Sequence, residues 1–501
     1  MKYYLAAGVA FTLMTTAATA QDALPQQNND WFKAGQSAIQ EKLARTPNTN
    51  RAKNIIIMVS DGNGVGTNYA TRIFAGQKKG MLGEEYVLPQ ETFPYLALVK
   101  TYNPNAQTPD SAGTATAAHS GVKTKAGVIG VDETLARGDC AAVEGAKVAS
   151  IAEILSGEGK SVGVVSTARI THATPASVYA HSADRNFEDN SGLPEGCSQP
   201  DIAAQLIEQM KAGVIDVALG GGRRHFIPKE VKDEEGKGGK RTDGRNLIQE
   251  AQAMGAQFAW DDKTAAALSL GNNTPILGLF ESSHMKYEHD RTGEPSLAEM
   301  TEAAIKALQG NENGFFLQVE AGRVDHANHD GNLHRVLTDG VAFADAVRKA
   351  AEMTSPEDTL IIVTADHGHT MTMSGYPARG NPILGLVHSY DENGGRAENP
   401  YPAGDGKPYT TLNYNTGPGS VFAGKKEGDI VERPFVTDEE AMDLDYHQQA
   451  LVPSGSETHG GQDVTIYASG PGAWLFTGVV EQNYIFHVIM NALRLDPQAE
   501  E

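Results

Sequence analysis

Asn54-Ile55-Ile56-Ile57-Met58-Val59-Ser60, running into Asp61-Gly62-Asn63-Gly64, is the stretch that decides the fold. A short apolar, β-branched run ending in an Asp/Gly/Asn cluster reads as a buried strand followed by a turn and a helix. Comparable runs recur at 161–168, 214–219, 275–280, 314–319 and 359–364, and helical periodicity fills 144–156, 201–211, 245–255, 296–309 and 333–354. Strands alternating with helices predict an α/β fold around a largely parallel central sheet. Asp61, Glu320 and Asp366 each stand at or just past the C-terminal end of such a strand. Open α/β sheets bind their ligands there.

Two stretches break the pattern. Residues 375–458 are rich in Gly, Pro, Tyr, Asn and Asp without a strong helical period. They read as an insertion, either a small β-rich subdomain near the site or a dimer contact, since so long a loop is unusual unless functional or disordered. The charged 229–243 segment reads as an exposed loop.

The chain has 501 residues, 40% of them hydrophobic, and a formal net charge of −22. A packed core is within reach, and so acidic a protein is a poor partner for nucleic acid or anionic membrane. An anionic substrate would need a local cationic site to override that field. Lys2, the apolar 5–14 run and Ala18-Thr19-Ala20 have the form of a cleavable export signal over 1–20, too short to span a bilayer. The polar end Asp496-Pro497-Gln498-Ala499-Glu500-Glu501 is unlike an anchor-attachment tail. A soluble periplasmic or secreted protein is therefore expected. In that oxidising setting Cys140 and Cys197, the two cysteines, read as one disulfide. The other reading, thiolate metal ligands, needs further soft ligands nearby and finds none.

The chemistry centres on Thr108-Pro109-Asp110-Ser111-Ala112-Gly113-Thr114-Ala115-Thr116-Ala117. Its serine hydroxyl needs a base or a metal to become a nucleophile. Asp325 and His329 are spaced to lie on one helical face. Asp366-His367 follows a strand, and His459 is a further imidazole. Aspartate and histidine suit zinc. Two cations about 4 Å apart would form a clamp for in-line displacement at phosphorus, and would make a local anion trap in an acidic protein.

Val59-Ser60-Asp61-Gly62, Asp110-Ser111-Ala112, Glu320-Ala321-Gly322-Arg323-Val324-Asp325-His326, Thr364-Ala365-Asp366-His367-Gly368 and Glu457-Thr458-His459-Gly460 together resemble the alkaline phosphatase family, in the same order from about residue 50 to 495. The resemblance implies one catalytic domain over 21–495, with helices on both faces of the sheet and 375–458 as a crown-like insertion. It implies hydrolysis of phosphate monoesters through a phosphoserine on Ser111, two zinc ions and one magnesium ion per subunit, and a homodimer. Asp325, His329 and His459 would hold one zinc. Asp61, Asp366 and His367 would hold the other, which also meets Ser111. Glu320, Thr174 and Asp61 would hold magnesium. Arg185 matches the family's phosphate-binding arginine, while Arg169 is a nearby competitor with less fitting neighbours. Asp110 reads as a positioner of Arg185.

His172 and His326 stand where many bacterial members carry Asp and Lys, and look more like the animal enzymes. They would lie beside the magnesium and the substrate, and leave open whether the third site takes magnesium or zinc. An animal-type calcium site is a further implication, with Phe280, Glu281 and Glu294 at its place and its remaining ligand in the 229–243 loop unassigned. The alternatives are a phosphodiesterase, sulfatase or phosphoglycerate mutase on the same scaffold, and a catalytically silent phosphate- or metal-binding protein.

Overall fold

The computed structural model describes residues 24–271, 274–426 and 429–495. The export signal expected at 1–20 and the polar end at 496–501 lie outside these described residues. The deciding stretch forms β1 (Asn54–Ser60). It is followed in chain order by β2 (Tyr95–Lys100), β3 (Ser161–Arg169), β4 (Val217–Gly221), β5 (Gln257–Ala259), β6 (Ile276–Leu279), β7 (Phe315–Ala321) and β8 (Thr359–Thr364). Then come β9 (Gly368–His369), β10 (Met371–Met373), β11 (Leu412–Gly417), β12 (Ala450–Pro453), β13 (His459–Gly460), β14 (Val464–Ser469) and β15 (Val479–Glu481).

The main sheet has ten strands in the order β15-β2-β14-β8-β1-β7-β3-β4-β6-β5. Neighbours are parallel except where β14 runs against β8 and β2. The α/β expectation therefore holds, with all six expected strands in the sheet. Alternate side chains of a strand point to opposite faces. Accordingly Ile55, Ile57 and Val59 enter one hydrophobic core with the helices Ile151–Gly157, Ile202–Lys211 and Tyr484–Leu493. Ile56 and Met58 enter the other with Val65–Lys78, Leu297–Leu308 and Leu333–Met353. A strand covered on both faces has no use for polar alternation, which is why β1 reads as one apolar run.

The single helix expected over 144–156 is two, Val143–Ala146 and Ile151–Gly157. Ser150 caps the second by accepting from the Glu153 N–H, while Glu153 accepts from the Ser150 N–H. This capping box starts a new helix inside a continuous-looking pattern. Within 375–458, β11 and β12 pair with each other, and β10, just before that stretch, pairs with β11 to complete a three-stranded sheet. Cys140 and Cys197 are joined in a disulfide. Residues up to Pro47 form a separate unit whose described part carries one helix, Asp30–Leu43, capped by Asn29 and with no buried residue. Among the described residues no helix is long and apolar enough to cross a membrane.

Candidate metal centre

Strand order places the chemistry. β8, β1 and β7 are adjacent, with Val59 in register with both Glu320 and Thr364. Their C-terminal ends therefore deliver Asp366-His367, Asp61 and Glu320 side by side. β3 lies next to β7, with Ser166 opposite Glu320, and leads to His172 and Thr174. Gly62 makes the turn after β1 at a φ of 72°, and a Cβ there would lie 2.4 Å from His369 Nε2. Only glycine accepts both that conformation and that approach.

Ser111 is the first residue of a ten-residue helix, Ser111–Ser120. Asp110 caps it, accepting from the Gly113 N–H at 3.1 Å. The buried Ser111 Oγ lies 3.0 Å from His367 Nε2 and 3.5 Å from Asp61 Oδ1. His367 Nε2 is also 3.3 Å from both Asp61 Oδ1 and Asp366 Oδ2. Asp325 and His329 share the helix Arg323–His329. His329 Nε2 is 3.1 Å from His459 Nε2, and Asp325 Oδ1 lies 3.4 and 3.5 Å from these two nitrogens. Glu320, partnered by the Ser166 hydroxyl, sits with Asp61 and His172. The structure thus gathers Asp61, Ser111, Glu320, Asp325, His329, Asp366, His367 and His459 into three adjoining clusters.

These clusters fit cations. His329 Nδ1 and His459 Nδ1 each meet a backbone carbonyl, of Glu457 at 2.6 Å and of Pro109 at 2.8 Å. Such acceptors fix the proton on Nδ1. Two bare Nε2 lone pairs then face one another beside a carboxylate oxygen, a set that only a positive ion stabilises. Asp61 Oδ2, Asp366 Oδ2, Glu320 Oε1 and Thr174 Oγ1 are buried without a hydrogen-bond partner, a costly state for polar atoms in a protein interior. Burial first, and then the carboxylates of Asp366, Asp325 and Glu320, pushes the Asp61 carboxyl well above its usual range. Burial likewise raises Glu320 to about 7. Asp325 is the exception: burial acts to raise it, but His329, His369 and His459 hold it well below. Burial, then His459, keeps His367 neutral.

Arg185 donates to Asp110 Oδ2 at 3.2 Å and to His172 Nε2 at 3.1 Å. It thus reaches the residue that adjoins Ser111. Arg169 is instead held in a fork by Glu188 at 2.7 and 2.8 Å. Tertiary contacts separate the two arginines that sequence context left in competition. His172 and His326 lie near each other with a third ring, His284, whose centroid is 4.0 Å from that of His326. Nothing in the local sequence marks His284. His369 was also missed: its Nε2 is 2.8 Å from Asp325 Oδ1 and its Nδ1 meets Glu457. Burial lowers it, yet these two carboxylates together raise it to about 9. The available signal was the alternation in Asp366-His367-Gly368-His369, which sets two imidazoles two residues apart. Phe280, Glu281 and Glu294 join none of these clusters.

Comparison with known proteins follows the same lines. A family model described as alkaline phosphatase matches residues 52–495. The chain is 42% identical over 495 residues to the tissue-nonspecific alkaline phosphatase of Gallus gallus, covering 95% of this chain and 91% of that protein. Its fold is similar to the crystal structure of Thermus thermophilus alkaline phosphatase, with a TM-score of 0.63 and 25% identity over 90% of this chain and 93% of the other. It is also similar to a variant of the TAB5 alkaline phosphatase, an enzyme of an Antarctic bacterium, with Mg bound in its M3 site. There the TM-score is 0.60 and the identity 23%, over 90% of this chain and 100% of that one.

Proposed function

The chain belongs to the alkaline phosphatase family, and from that premise we propose how its own residues carry out phosphomonoester hydrolysis. Asp325, His329 and His459 would hold one zinc, Asp61, Asp366 and His367 a second, and Glu320, Thr174 and Asp61 a magnesium. When bound, these cations supply Lewis acidity, lowering the pKa of a hydroxyl and offsetting charge on phosphoryl oxygens. Ser111 presents its Oγ at a helix N-terminus, where the peptide dipoles favour an anion. Arg185 holds two non-bridging phosphoryl oxygens in a fork. Asp110 fixes both, capping the Ser111 helix and steering Arg185. The Ser111 oxygen–phosphorus bond forms as the ester oxygen–phosphorus bond breaks; the Ser111 hydroxyl gives up its proton to solvent, and the departing alkoxide takes one up to leave as the alcohol. Water then displaces phosphate from Ser111.

The observation that carries this reading is the Ser111 Oγ within 3.0 and 3.5 Å of His367 and Asp61. Hydrolysis of p-nitrophenyl phosphate should exceed that of bis(p-nitrophenyl) phosphate, and Ser111→Ala should lose most turnover with its fold intact. A faster diester, or an indifferent Ser111→Ala, would overturn it. Metal content of the purified enzyme tests the stoichiometry.

We further infer export through 1–20 and a homodimer using the 375–458 insertion as a crown-like contact. The disulfide supports an oxidising destination, and the exposed Tyr376, Phe422, Ile430, Phe435 and Leu451 support the contact. A mature N-terminus other than Gln21, or a monomer by light scattering, would overturn these two readings.

A further inference from the structure

The carboxylates that the family resemblance offers for calcium do not fit that ion here. Calcium takes six to eight oxygens and needs an excess of negative charge. Glu281, at the end of β6, is held by the Lys237 ammonium, and its other oxygen lies 3.8 Å from Lys286 Nζ. Glu281 Oε1 also accepts from the Ser282 N–H at 3.0 Å. Glu294 accepts from the Lys286 backbone N–H at 2.9 Å. Both oxygens of Glu281 thus face ammonium groups, while Glu294 Oε2 is buried without a hydrogen-bond partner; one open carboxylate oxygen falls far short of a calcium shell.

The 229–243 loop offers no replacement ligand. The fully buried Arg223 holds Asp233 at 3.0 Å, Glu235 in a close pair and Glu234 at 3.6 Å, Arg241 holds Asp243, and Glu230 lies 3.8 Å from Lys229. The same Asp233 sets the position of Lys237. Asp233 Oδ1 accepts from the Lys237 N–H at 2.7 Å, and the Lys237 carbonyl accepts from the Asp233 N–H at 2.8 Å. A buried guanidinium fixes Asp233, Asp233 fixes the turn, and the turn carries the ammonium to Glu281.

We propose that Lys237 is a tethered structural cation: its ammonium ties the 229–243 loop to the end of β6 and makes this lobe independent of calcium. A calcium ion would have to displace Lys237 before it could reach Glu281.

The test uses the zinc- and magnesium-loaded enzyme in buffer stripped of calcium. After dialysis against calcium chloride and then calcium-free buffer, elemental analysis should find no retained calcium. The melting temperature should move by less than about 1 °C on adding calcium chloride. Lys237→Met should melt roughly 1–3 °C lower, and Lys237→Arg close to wild type. Phosphomonoesterase activity at room temperature reports that each variant is folded. Retention of about one calcium per chain, or a wild-type melting point raised by calcium chloride but not by magnesium chloride, would overturn the proposal. So would a Lys237→Met protein melting like wild type. Should Lys237→Met not fold, the wild-type calcium measurements still decide.

Discussion

Replacing Asp110 by Asn separates two jobs that one carboxylate performs. Oδ1 caps the Ser111 helix through Gly113, while Oδ2 accepts from the Gly127 N–H at 2.8 Å and from Arg185 at 3.2 Å. An asparagine carbonyl keeps the cap, but its NH2 then faces two donors. A charge-assisted hydrogen bond contributes about 1.5–3 kcal/mol. The Asp110 and Arg185 side chains retain 20% and 17% exposure, so solvent screening places the value near the lower end. About 1.4 kcal/mol is tenfold in an equilibrium. Asp110→Asn should therefore raise the inhibition constant for inorganic phosphate roughly tenfold and lower stability by about 1–3 kcal/mol, because the buried Gly127 N–H loses its acceptor. Asp110→Ala should add the lost cap, about 1 kcal/mol of stability. The assay is competitive inhibition of p-nitrophenyl phosphate hydrolysis, repeated in an Arg185→Ala background. There Asp110→Asn should have almost no further effect, because the pair acts as a unit. An equal effect in both backgrounds would refute the claim that Asp110 acts through Arg185.

Other consequences are open to measurement. Asp339 is buried in the Leu333–Met353 helix with its carboxyl raised to about 7, chiefly by burial, and accepts from the Glu288 N–H at 3.1 Å. The folded state thus holds this proton more tightly than the unfolded chain, so stability falls as pH rises from about 4 to 7. Asp339→Asn should be more stable than wild type at pH 8, by at most about 4 kcal/mol, and no more stable than wild type at acid pH; a pH-independent difference in melting temperature would contradict this. Removing the metals leaves Asp61, Asp366, Asp325 and Glu320 buried together. Chelation should remove about 4 kcal/mol of stability for each ion held at a thousand times its Kd and so lower the melting temperature, with recovery on adding zinc and magnesium; an unchanged melting point would argue against metal ligation. Cys140 and Cys197 close a loop across a sequence separation of 57. Reduction should remove up to about 4 kcal/mol of stability while activity at 25 °C persists, since the bridge lies in its own small cluster with Val128, Leu135 and Val143.

The strand at Asn54–Ser60 was legible because both its faces are covered, so its hydrophobicity is continuous. β2 and β14 were missed because they alternate buried with half-buried or exposed residues over six positions, too short for a clear period beside turns of similar composition. Most candidate ligands were legible because each follows a strand within a compact motif. His369 was not, since its partners Asp325 and Glu457 lie 44 and 88 residues away.

By itself, the sequence determined which residues could perform the chemistry, and that an α/β sheet would present them at its strand ends. Local periodicity carries that information, because it reports how each segment must bury its own apolar face. The tertiary structure decided which candidates meet: Arg185 rather than Arg169 beside Asp110, His459 against His329, and Lys237 on Glu281. Those contacts depend on the order in which strands line up and on where loops between them return. Segments distant in sequence become neighbours only when the β8-β1-β7-β3 order is set, and no local pattern encodes that order.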